Sequence, residues 1–135
     1  MLRSTLLKNL CITILTVFFL NTLATFFSWY SLLWWFDMLM HFLGGIAVFY
    51  LGAILWLPAR SRVSTGRFLY EGIITALLLG VLWEALELFL HVRYGTPDFV
   101  LLDSISDLCF DLAGTLLAAF WTYKLVEIPV DSGKK

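Results

Sequence analysis

The chain has 135 residues and a formal net charge of -1, with 61% hydrophobic and 14% charged residues; its mean hydropathy is +0.89. A soluble domain of this size runs nearer about 45–50% apolar and about 25% charged. So little polar surface cannot cover the chain in water, and a near-zero net charge excludes a nucleic-acid or polyanion partner. The composition is that of an all-α polytopic membrane protein forming one transmembrane domain over residues 1–135.

A bilayer span needs about 20 helical residues, and four apolar stretches are long enough. The first runs over residues 6–27, interrupted by Asn21 and threonines. Its basic start, apolar core and Thr-Leu-Ala near residue 24 loosely resemble a signal peptide, but the apolar run continues through "TFFSWY", which favours a retained span. Cleavage would leave three spans in the same orientation. The second span covers 34–57 and stops at Pro58, which cannot continue a helix. The third covers 68–90, ending before a turn with Gly95 and Pro97. The fourth covers 101–126 and leads into the polar tail "DSGKK".

Orientation follows from the positive charges. Arg3 and Lys8 open the chain, Arg60, Arg62 and Arg67 lie between the second and third spans, and Lys124, Lys134 and Lys135 close it. The other side holds only Arg93, so both termini are expected in the cytoplasm of a cell with the chain in its inner membrane. Trp29, Tyr30, Trp34 and Trp35 then form an outer aromatic belt, and Trp56, Tyr70, Trp121 and Tyr123 an inner one. Cys11 and Cys109 sit in apolar runs with no second Cys at ligand spacing, and read as packing residues.

Six of the ten acids and both histidines fall in the outer halves of the last three spans. Asp37 and His41 are i, i+4; Glu84, Glu87 and His91 are i, i+3, i+7; Asp103, Asp107 and Asp111 drift by only about 40° per step around a helix. With about 1.5 Å of rise per residue, the layers from the outside inwards are Asp37, His91 and Asp103; then His41, Glu87 and Asp107; then Glu84 and Asp111. A charged acid in mid-membrane costs about 3 kcal/mol on insertion scales. These side chains are therefore expected to face the bundle interior and to be protonated, hydrated, paired or bound to a cation. No Lys or Arg stands at their depth, and two histidines cannot balance six carboxylates.

Carboxylates with imidazole and no sulfur suit Mg, Mn, Fe or Zn, and four-helix bundles are known to hold paired metals on Glu and His. Asp37, His41, Glu84, Glu87, Asp103, Asp107 and Asp111 are the candidate ligands, with His91 beside them. His41, Glu84 and Asp111 are candidates for catalysis. The opposing reading is a hydrogen-bonded polar core that only holds helices together. Gly44, Gly45 and Gly114 lie within a turn of the stripes and permit close helix approach. Arg93 and Tyr94 are placed to receive an anionic head group. No serine-hydrolase order, phosphate loop or dinucleotide motif appears.

The segments "DMLMHFLGG", "WEALE" and "DSISDLCFDLAG" resemble the VanZ-like membrane proteins and a related uncharacterised family of small prokaryotic inner-membrane proteins. The resemblance covers roughly residues 34–120, and the spacings of Asp37/His41 and of Asp107/Asp111/Gly114 are its most specific part. In VanZ-like proteins the position matching Asp111 is usually Asn and that matching Glu87 usually Gln, so this chain sits nearer the second family. VanZ-like proteins are associated with glycopeptide resistance, but the resemblance implies the site residues and no substrate. Three functions stay open: a metal-dependent enzyme acting on a lipid or lipid-linked substrate; a cation- or proton-coupled carrier, which with four spans would need a homo-oligomer; or a non-catalytic assembly or resistance factor.

Overall fold

The computed structural model describes residues 2–56, 65–94 and 101–126. Pro58, Arg60, Arg62, Gly95, Pro97, Lys134 and Lys135, on which the loop and tail readings rest, lie outside the described residues. Among the described residues five helices follow in chain order: α1 Leu2–Phe27, α2 Trp29–Leu32, α3 Phe36–Trp56, α4 Thr65–Tyr94 and α5 Leu101–Val126. Each of α1, α3, α4 and α5 contains a stretch long and apolar enough to cross a membrane. The architecture is thus an all-α polytopic membrane bundle.

The hydroxyls of α1 show why threonines are tolerated in an apolar span. Thr13, Thr16, Thr22 and Thr25 each donate to the carbonyl oxygen four residues earlier, at 2.8–2.9 Å. Their polar hydrogens are satisfied within the helix, which removes the cost of exposing them to lipid. The large apolar side chains left on the surface, such as Leu15, Phe18, Phe26, Leu78, Leu82 and Phe89, are the face that lipid covers.

Helix α3 is the hub: α1, α4 and α5 all pack on it, and α4 also packs on α5. The apolar core gathers Leu6, Phe49, Tyr50, Ala53, Ile54, Ala118 and Ala119 towards the end that the charge rule assigns to the cytoplasm. Leu6 and Phe49 are fully buried, so α1 is packed into the bundle at this end. A cavity of about 380 Å³ lined by Asn9, Thr13, Ile46, Tyr50, Leu117 and Trp121 lies beside this core. The opposite end of the bundle is where the polar side chains collect.

Two details were not legible beforehand. The chain between the first two spans folds into the short helix α2, entered through Ser28 in a left-handed conformation at φ 56°, uncommon for a residue with a side chain. Trp29 and Tyr30 of α2 pack edge-on against Phe36 at ring-centroid distances of 5.4 and 5.1 Å, seating α2 over the start of α3. The packing role expected of Cys11 and Cys109 is corrected: both are free thiols exposed on the outside of the bundle. A weakly polar thiol is at ease against lipid, so an apolar run does not say which way a cysteine points.

Candidate functional site: a buried carboxylate and histidine cluster

Helices α3 and α5 cross at their glycines. A Cβ on Gly45 would run into the backbone of Asp111, and one on Gly114 into the carbonyl oxygen of Phe42. The two backbones are therefore in direct contact, an approach only glycine permits at these positions. Thr115, fully buried, fastens the crossing by donating to the carbonyl oxygens of Asp111 at 2.8 Å and Gly45 at 3.2 Å. Since Gly45 follows His41 by one turn and Gly114 follows Asp107 and Asp111, the crossing sets the histidine against the aspartates.

His41 is 7% exposed and Asp107 2%. The Nε2 atom of His41 lies 3.9 Å from Asp107 Oδ2 and 4.0 Å from Asp37 Oδ1, while its Nδ1 lies 3.5 Å from Asp111 Oδ1. Helix α4 closes the third side. Asp37, His41 and Asp107 offer ligand atoms within 4.8 Å of one another, and so do His41, Glu84 and Glu87. Gly80, one turn before Glu84, leaves room for Asp111: a Cβ there would stand 2.9 Å from Asp111 Oδ2.

The hydrogen bonding is incomplete. Both carboxylate oxygens of Glu84 and the Oδ1 of Asp107 are buried without a hydrogen-bond partner. Glu87 is better served, since its Oε1 accepts from Trp83 Nε1 at 3.0 Å. Tyr30 of α2 donates to Asn21 Oδ1 at 2.9 Å. Burial raises its phenol above the usual range, and the nearby Asp37 and Glu87 carboxylates push it further the same way. That electrostatic contact puts α2 at the rim of the cluster.

Of the eight residues singled out from the sequence, Asp37, His41, Glu84, Glu87 and Asp107 make up the two groups, with Asp111 against the back of the imidazole. Asp103, one turn before Asp107 on α5, is exposed and belongs to neither group. His91, half-buried, lies one turn past Glu87 and also outside both groups. Sequence reasoning missed Thr115, Gly80, Trp83 and Tyr30. Only Trp83 carried a readable signal, the i, i+4 spacing to Glu87. Arg93 and Tyr94 stack on each other with the guanidinium 5.5 Å from the ring centroid, at the same end of α4 as the cluster.

The family model described as "Predicted membrane protein (DUF2238)" matches residues 2–127, which takes in all four apolar helices and every residue of the cluster. The chain belongs to this family. Membership in DUF2238 agrees with the membrane half of the resemblance read from the sequence and contains nothing specific to the VanZ-like proteins. Comparison with curated proteins and with solved structures gave no significant match.

Proposed function

We propose that this DUF2238 chain is a metal-dependent enzyme of the inner membrane, with both termini cytoplasmic, acting on a lipid or lipid-linked substrate of the outer leaflet. The observation that carries this reading is the set of buried, unpartnered carboxylate oxygens on Glu84 and Asp107 around a buried His41. A buried acceptor left unmade costs about 1–3 kcal/mol, more for a charged group. A divalent cation supplies both the ligation and the charge that these oxygens lack. Several carboxylates with one imidazole suit Mg, Mn, Fe or Zn.

The side chains divide the work. Asp37, Asp107 and the Nε2 of His41 would hold an ion. Asp111, at 3.5 Å from Nδ1, would keep that nitrogen protonated and turn the Nε2 lone pair forwards, the usual task of a carboxylate behind a metal-bound histidine. Trp83 holds Glu87 in place. A bound ion would supply Lewis acidity, and a carboxylate of the cluster outside its ligand set would accept the proton that the reaction releases. Arg93, near the end of α4, would meet an anionic head group.

Metal analysis of the detergent-purified chain tests this. We expect a stoichiometric divalent metal and a lower melting temperature after chelation, since a ligand at about 100 times its Kd stabilises by about 2.7 kcal/mol. A metal-free protein indifferent to chelator would overturn the reading. A carrier would use the same acids, but the backbone contact of α3 and α5 opposes the helix movement that alternating access needs; loss of proton or cation flux in Asp107→Asn proteoliposomes would favour it. A purely structural core predicts that His41→Ala and Asp111→Asn lower folded yield and alter no activity.

A further inference from the structure

We propose that the cluster holds two divalent cations side by side, one on Asp37, His41 and Asp107 and the other on Glu84 and Glu87. The inference rests on the metal-dependent reading above and adds to it a second ion and its ligands.

The first argument is geometric. The five side chains fall into two groups within 4.8 Å, joined only through His41, and not into one. Donor atoms about 2.1 Å from a common ion are at most about 4.2 Å apart, so a single coordination sphere does not reach across both groups. The second argument concerns the shared ligand. A neutral imidazole has one lone pair. With Nδ1 facing Asp111 at 3.5 Å and Nε2 facing Asp37 and Asp107 at 4.0 and 3.9 Å, that lone pair belongs to the first ion.

The third argument is that each group keeps its own unsatisfied oxygens. Asp107 Oδ1 belongs to the first group, and Glu84 Oε1 and Oε2 to the second. Glu84 is 8% exposed, too buried for bulk water to replace a ligand. An ion on the first group alone leaves both Glu84 oxygens bare. Charge points the same way: one divalent ion offsets two of the five carboxylates of Asp37, Glu84, Glu87, Asp107 and Asp111, whereas two ions offset four. Paired ions in protein sites stand about 3.5–4 Å apart, and a pair of glutamates fits an ion that completes its shell with waters or substrate oxygens.

The test is equilibrium dialysis of the full chain in detergent against Mn²⁺, read by metal per chain and by electron paramagnetic resonance. We expect two Mn²⁺ per chain with the spectrum of a spin-coupled pair. Glu87→Gln, at a half-buried position that spares the core, should leave one Mn²⁺ with an uncoupled spectrum, as should Asp37→Asn. Monodisperse elution and unchanged helicity check that the variants are folded, and the wild-type count stands without them. One Mn²⁺ in the wild type overturns the two-ion inference and leaves the single-ion reading standing. None overturns both, and two without coupling overturns the adjacency.

Discussion

His41 is the residue on which the site turns, because it alone touches carboxylates from both ends of its ring. Its neighbour Asp107 is almost fully buried and only partly partnered. Asp107→Asn should therefore release the ion shared with Asp37 and His41 while leaving the metal-free protein as stable as the wild type or more so, since a buried uncompensated charge has been removed. Metal analysis and thermal melting with chelator read both effects; a large loss of stability in the metal-free variant would mean that Asp107 serves structure first. Tyr30 makes a pH prediction. Its phenol is held above the ordinary value of 10.0, so the folded state keeps the proton longer than the unfolded one. The contribution to stability is present below pH 10 and is lost as pH rises through the higher folded value. The melting temperature should fall as the pH rises above about 10, and Tyr30→Phe should flatten that fall. Equal slopes for the two proteins would show that other groups govern it.

At the scale of elements, the glycine crossing of α3 and α5 decides whether there is a site at all. Gly45→Ala or Gly114→Ala drives a methyl group into backbone that has no rotamer to yield. Overpacking of this kind costs about 1–3 kcal/mol, occasionally more, and here it would also separate His41 from Asp107. Folded yield should drop and metal retention with it. Gly66 is the control: nothing stands within 4 Å of a Cβ there, so Gly66→Ala should be neutral or slightly stabilising. Comparable losses at Gly66 and Gly114 would sink the crossing argument. The glycines and the acids were both visible in the sequence, but their connection was not. Packing glycines and buried carboxylates look like separate features until Gly45 is seen against the backbone of Asp111.

At the scale of the whole molecule, the bundle has an apolar end built on Leu6, Phe49 and Ala118 and a polar end built on His41. If the positive-inside rule holds, the polar end faces outwards. A phosphatase reporter fused after Lys135 should be inactive and a fluorescent one active; the reverse pattern would turn the cluster towards the cytoplasm and overturn the proposal of an outer-leaflet substrate.

The sequence by itself determined the four apolar helices, because lipid accepts only long apolar segments whose backbone bonds close internally. It also determined that the acids must share an interior, since the cost of charge in lipid leaves them no other place. Only the tertiary structure decided which acids do so. Asp103 and Asp107 share a helical stripe, yet one is exposed and the other almost fully buried. Periodicity records the face of one helix. The depth and partners of that face are set by the neighbouring helix, and here by two glycines that let it come close.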